Sequence, residues 1–272
     1  MTNIQDAVCS QWRTDIHAKI KEIEATENIQ ILLAIESGSR AWGFHSPDSD
    51  YDVRFVYARP VDWHLSLHKK RDVVERPIDG DWDLSGWELS KALTLALGSN
   101  AVIAEWLQSP IIYQEAAGFR DEMTWFCRDI LDRKSVTWHY LSLLARQSKR
   151  ATDTHGNIRL KRYFYMLRPV LALRWMRINN APMPPMNMND LMAGADLDAQ
   201  TTTALLSLIE DKKNINEGDG VARVDPLLDH LIDAERTQAQ EWVGQATARA
   251  KDKSAWDTAS QMNARWTHNF IL

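Results

Sequence analysis

The strongest constraint on this chain is a change of hydrophobic period near Trp87. Between residues 29 and 86, apolar residues come in short runs or alternate with polar ones, the patterns of strands. Beyond Trp87 they recur every three or four residues, as on helices. Residues 10–25, with Trp12, Ile16, Ile20 and Ile23 on one stripe, predict an amphipathic helix that Asn28 ends. Residues 29–35 form a continuous apolar run short enough to be a strand buried on both faces. Residues 50–58 alternate, which predicts a half-buried strand. Residues 72–78 and 81–86 predict two more strands, joined by a hairpin at Asp79-Gly80. Segments 87–97, 101–107, 115–131, 136–149, 160–178, 199–214 and 226–250 all fit helices. The expected fold class is therefore α+β: a small mixed β-sheet domain over residues 1–115, then a mostly α-helical domain over 116–272.

Composition narrows the function classes. No uncharged run is long enough to cross a bilayer, and the first residues lack a basic, then apolar, leader, so no membrane association and a cytoplasmic location are expected. Two distant cysteines, Cys9 and Cys127, exclude a disulfide framework and an all-cysteine zinc site. A formal net charge of -5 argues against binding nucleic acid over the whole surface. Charge is nevertheless uneven: residues 145–177 carry nine basic residues against the single acid Asp153, a local anion-binding candidate. The chain has neither a GxxxxGK[ST] phosphate loop nor a GxSxG nucleophile elbow. Of the twelve tryptophans, Trp12, Trp87, Trp106, Trp125 and Trp175 fall on apolar helix faces and are expected in the core; Trp42, inside the Gly38 to Gly43 turn, is the exception.

The chemistry is concentrated in Gly38-Ser39-Arg40-Ala41-Trp42-Gly43 and, shortly after, Asp48-Ser49-Asp50-Tyr51-Asp52-Val53-Arg54. Side chains two apart on a strand share a face, so Asp50 and Asp52 point the same way. Two adjacent carboxylates repel unless a cation lies between them, and an all-oxygen set selects Mg²⁺ or Mn²⁺. The Gly38-Ser39 turn can present backbone N–H groups and a hydroxyl to a phosphate, helped by a helix starting at Arg40 or Ala41. Asp83, between Trp82 and Leu84, offers a third carboxylate on a later strand, with Asp81 as the alternative if the register differs by one pleat.

In order and spacing, Gly38-Ser39, Asp50-x-Asp52 and Asp83 resemble the DNA polymerase beta nucleotidyltransferase superfamily. More narrowly, Glu36-Ser37-Gly38-Ser39-Arg40-Ala41-Trp42-Gly43, Ser49-Asp50-Tyr51-Asp52-Val53-Arg54 and Tyr163-Phe164-Tyr165-x-Leu167-Arg168-Pro169 look like the RNA-repair-ligase-associated nucleotidyltransferases. The resemblance implies transfer of a nucleoside monophosphate from an NTP to a hydroxyl with loss of pyrophosphate, the acceptor being an RNA end. It implies Asp50, Asp52 and Asp83 as ligands of Mg²⁺ or Mn²⁺ in a two-metal mechanism. It further implies that Gly38, Ser39, Arg40 and Arg54, with Lys149, Lys161, Tyr163 and Arg168 from the helical half, contact the nucleotide and its phosphates. A protein or small-molecule acceptor, or a nucleotide-binding sensor without turnover, are the competing readings.

Overall fold

The computed structural model describes residues 7–68, 70–76, 80–149, 158–214, 220–221, 224–249 and 252–269. The expected turn residue Asp79 and the expected linker 153–157 lie outside them, as does Arg150 of the basic stretch. In chain order the elements are α1 (Ser10–Glu27), β1 (Gln30–Glu36), α2 (Gly38–Trp42), β2 (Tyr51–Ala58), α3 (Val61–His64), β3 (Val73–Glu75), β4 (Trp82–Glu88), α4 (Leu89–Leu97), α5 (Ala101–Leu107), β5 (Ile112–Glu115), α6 (Phe119–Ile130), α7 (Arg133–Ser148), β6 (Ile158–Arg159), α8 (Leu160–Asn179), α9 (Met188–Ala193), α10 (Ala199–Lys213), β7 (Gly220–Val221), α11 (Pro226–Gln245) and α12 (Lys253–His268). They fall into two compact units. A sheet unit comprises Met1–Ala41, Asp50–Ile130 and Ala250–Leu272, and a helical unit comprises Trp42–Ser49 and Leu131–Arg249.

The sheet unit is built on five strands in the order β3-β4-β2-β1-β5. Only β2 and β4 run parallel; the other pairs are antiparallel, so the sheet is mixed. The apolar stripe of α1 (Ile16, Ile20, Ile23) packs with Tyr51, Val53, Phe55 and Tyr57 of β2. Each of these α1 isoleucines is fully or almost fully buried, which contributes about 1.5–3 kcal/mol apiece. Asn28 caps α1 in the left-handed conformation, φ 51°, and its N–H returns to the helix through Glu24 O. Gly86 of β4 lies under the Phe55 ring; a Cβ there would stand 2.1 Å from Phe55 Cε2, so the position admits no side chain.

Four features depart from the sequence expectation. Residues 115–131 do not form one helix: β5 completes the sheet beside β1, and α6 begins only at Phe119 after Gly118, φ +81°. Helix α12 was not expected; it packs on α4 in the sheet unit, with Trp266 edge-on to Phe119 at 5.1 Å. With α6 and α12 both belonging to the sheet unit, the units are not divided by a single cut near residue 115. Trp125, expected in the core, is 64% exposed on α6, whose buried face is instead Phe119, Met123, Phe126 and Cys127.

The helical unit centres on α8, whose neighbours are α7, α9 and α11. Pro169 interrupts the α8 hydrogen-bond ladder within the buried stretch of the helix. The segment Trp42–Ser49 belongs to this unit: Phe44 stacks on Phe164 at 4.5 Å, and the fully buried Lys212 donates to Ser46 Oγ at 2.6 Å. No described helix is long and apolar enough to cross a membrane.

Candidate active site

The site is set by how β1 ends. After six buried positions the chain leaves the ladder at Ser37 and turns at Gly38, φ +59°. Ser37 N donates to Asp52 O at 2.8 Å, and Asp52 N donates to Glu36 Oε1 at 2.9 Å. The peptide of Asp52 is thus gripped on both sides by the end of β1. Its carboxylate lies so close to Gly38 that a Cβ on that residue would stand 1.9 Å from Asp52 Oδ2. Only glycine supplies both this backbone conformation and this clearance. Helix α2 starts at Gly38, earlier than the expected Arg40 or Ala41, and is five residues long, so its dipole is slight.

Parallel pairing of β2 with β4 places Asp83 directly beside Asp52. The register is pinned by Tyr51 N donating to Asp81 O at 2.8 Å. Of the alternating acids, Asp83 is therefore the one opposite Asp52, while Asp81 precedes the strand. Between the two carboxylates lies the Arg54 guanidinium: Nη2 reaches Asp52 Oδ1 at 3.0 Å and Asp83 Oδ2 at 2.7 Å, and Nη1 donates to Asp83 O at 2.7 Å. All three side chains are half-buried. Arg54 thus supplies the positive charge that two adjacent carboxylates require.

Asp50 is exposed just before β2, and its carbonyl accepts from Arg40 Nε at 3.3 Å. Arg40 itself is buried, donates through Nη1 to Ala7 O at 2.9 Å and lies over the Tyr51 ring at 3.9 Å. It secures the entrance of β2 through backbone carbonyls and an aromatic face. Ser39 follows Gly38 on α2, half-buried.

Two residues that motif spacing did not single out as functional complete the site. Glu36 is fully buried, and burial pushes its carboxyl up to about 8. Its Oε2 accepts from the Tyr113 hydroxyl at 2.5 Å; burial and this neighbour push the Tyr113 phenol well above its ordinary range. A carboxylate closing an otherwise apolar strand was a visible signal for Glu36; Tyr113 carried none, because β5 itself was not foreseen.

The helical-unit candidates occupy different surroundings. Tyr163 donates to Asp229 Oδ1 at 2.7 Å, and burial drives its phenol above the usual range. Arg168, also buried, donates through Nε to Met186 O at 3.2 Å and lies 4.9 Å from the Trp42 ring. Both are built into the core of that unit. Lys149 caps α7 in the open, and Lys161 is half-buried in the first turn of α8. Within the basic stretch, Arg174 and Arg177 both pair with Glu235, at 2.8 and 2.6 Å.

Among the described residues, no three His, Cys, Asp or Glu side chains, Asp50, Asp52 and Asp83 included, are grouped so that they could hold a metal ion by themselves. The donors that are present are carboxylate oxygens from adjacent strands beside a glycine cradle. That set fits a hard divalent ion of the kind held by one or two carboxylates together with substrate phosphates.

A Gly-Ser turn against paired strand carboxylates on a small mixed sheet is the frame of the DNA polymerase beta superfamily nucleotidyltransferases. The chain belongs to the RNA repair pathway DNA polymerase beta family, whose sequence profile matches residues 12–263. It is 37% identical over 241 residues to a Bacillus subtilis (strain 168) protein named uncharacterized protein YcgL, covering 87% of this chain and 90% of that one. Among solved structures, a nucleotidyltransferase-like protein from Exiguobacterium sibiricum 255-15 aligns at 14% identity and a TM-score of 0.29, over 85% of this chain and 75% of that one.

Proposed function

We propose that the chain is a metal-dependent nucleotidyltransferase that moves a nucleoside monophosphate from an NTP to a hydroxyl acceptor, an RNA end, and releases pyrophosphate. The observation that carries this reading is the side-by-side placement of Asp52 and Asp83 against the Gly38 turn, with Arg54 between them. Asp50, Asp52 and Asp83 would hold Mg²⁺ or Mn²⁺, which when bound neutralises phosphate charge and lowers the pKa of the attacking hydroxyl. Gly38, buried against the Asp52 carboxylate, and the half-buried Ser39 are the backbone donors assigned to the phosphates. Arg54, paired with both carboxylates, keeps them aligned until the nucleotide and its ions arrive. Asp83, on the strand beside Asp52, serves the acceptor side.

The RNA acceptor is supported by the family description and by the exposed cations Arg146, Lys149 and Arg159 of the basic stretch. Action in the cytoplasm is part of the same reading. The test is incubation with each α-labelled NTP, Mg²⁺ and a short RNA, followed by sizing of labelled products beside Asp52→Ala. Label on RNA that disappears in the variant is the expected result. Label on a protein or small molecule would move the acceptor, and label nowhere, with NTP bound, would favour a sensor or an acceptor outside the assay.

A further inference from the structure

Glu36 is the last residue of β1 and has no exposed surface. In an antiparallel ladder a hydrogen-bonded pair of residues exchanges backbone N–H and C=O groups. At the end of β1 half of that exchange is made by a side chain. Ser37 N still donates to Asp52 O at 2.8 Å, but the Asp52 N–H is received by Glu36 Oε1 at 2.9 Å. The substitution has a geometric cause: the backbone must leave the ladder here to bring Gly38 against the Asp52 carboxylate. The carbonyl that would have received the Asp52 N–H leaves with it, and an acceptor on a longer arm takes its place.

That arm is fixed at every joint. Glu36 Oε2 accepts from Tyr113 Oη at 2.5 Å, the Glu36 carbonyl accepts from Ser109 Oγ at 2.6 Å, and Glu36 N donates to Ile111 O at 3.0 Å. An apolar residue would fill this core position at less cost than a carboxylate. What it would lack is an acceptor for the Asp52 amide.

We infer that Glu36, with Tyr113 fixing its rotamer, is the positioning residue of the metal-binding Asp52. This rests on the nucleotidyltransferase reading for Asp52 as a metal ligand. Glu36 touches neither nucleotide nor metal; it sets the peptide plane, and hence the direction in which the Asp52 carboxylate leaves β2.

The test measures Mn²⁺ binding by the EPR signal of the free ion, with a non-hydrolysable ATP analogue present, in wild type, Glu36→Met, Glu36→Gln and Tyr113→Phe. Loss of a group supporting a metal ligand weakens metal binding about 10- to 100-fold, and that is expected of Glu36→Met. Glu36→Gln keeps an acceptor for the Asp52 N–H and turns its own amide to the Tyr113 oxygen. It should stay within about threefold of wild type, since both hydrogen bonds survive. An unchanged Mn²⁺ affinity in Glu36→Met overturns the inference, and so does a Glu36→Gln variant as weak as Glu36→Met. If Glu36→Met does not fold, Tyr113→Phe decides: weaker Mn²⁺ binding supports the role, and unchanged binding overturns it. Wild-type protein that binds Mn²⁺ with the analogue but releases no pyrophosphate from any NTP refutes the transferase reading alone. Wild-type protein that binds no Mn²⁺ refutes both.

Discussion

Gly38→Ala isolates the geometry on which the site depends. The new Cβ would stand 1.9 Å from Asp52 Oδ2, whereas ordinary contact begins near 3.4 Å, so the carboxylate must retreat by about 1.5 Å or the turn must open by as much. Alanine at φ +59° also costs about 1–2 kcal/mol of backbone strain. Displacing a reacting group by about 1 Å can cost about 100-fold in rate, so kcat should fall at least that far. The strain alone should lower Tm by only about 2–8 °C. Gly118→Ala is the matched control: φ is +81°, with nothing within 4 Å of the added Cβ. It should carry a similar strain cost and keep wild-type turnover. Pyrophosphate release and a melting curve on the three proteins settle the matter. Equal activity in Gly38→Ala and Gly118→Ala would refute the argument that the Gly38 backbone and the Asp52 carboxylate form one unit.

Other outcomes follow from the same contacts. Gly86→Ala drives a methyl into the Phe55 ring, 2.1 Å away, and should destabilise the sheet unit by about 1–3 kcal/mol in urea titrations; an unchanged midpoint would show that Phe55 moves freely. Glu36 binds a proton more readily folded (about 8) than unfolded (4.5), so the folded state holds more protons between those values and stability falls as pH rises through that window. The slope reaches at most about 1.4 kcal/mol per pH unit and should be absent in Glu36→Gln; identical wild-type and variant slopes from pH 5 to 8 would contradict the assignment. Burial pushes the Cys127 thiol up to about 12, while Cys9 is exposed. A disulfide reagent should therefore modify Cys9 promptly in native protein and Cys127 only on unfolding, a difference that mass spectrometry after brief labelling reads directly. Arg54→Gln removes the guanidinium that pairs with both Asp52 and Asp83, so Mg²⁺ should raise its Tm more than it raises that of wild type; equal shifts would show that Arg54 does not neutralise the pair.

Much of the frame was legible because periodicity encodes it. The α1 stripe, the β1 run and the alternation of β2 each met the elements they predicted, and the hairpin spacing brought β3 beside β4. The juxtaposition of Asp52 and Asp83 followed from strand order once β2 and β4 paired in parallel. What escaped depends on partners distant in sequence. Strand β5 is four residues long and gains its identity from pairing with β1, a contact that no local pattern announces. Arg40, Tyr163 and Arg168, which the family resemblance implies as nucleotide contacts, have the protein partners Ala7, Asp229 and Met186, reached only through the fold. Trp125 shows the converse: an aromatic residue at helical spacing can still face outward when Phe126 and Met123 take the buried side.

The central claim, that Asp52 and Asp83 work as one carboxylate pair, is tested most directly by pyrophosphate release from each NTP with Mg²⁺ and an RNA acceptor, comparing wild type with Asp52→Asn and Asp83→Asn. Turnover in the wild type, with each single substitution lowering it by about 1,000-fold or more at an essentially native melting temperature, is the predicted result. Near-wild-type turnover in Asp83→Asn, or none in the wild type with any NTP, would contradict it.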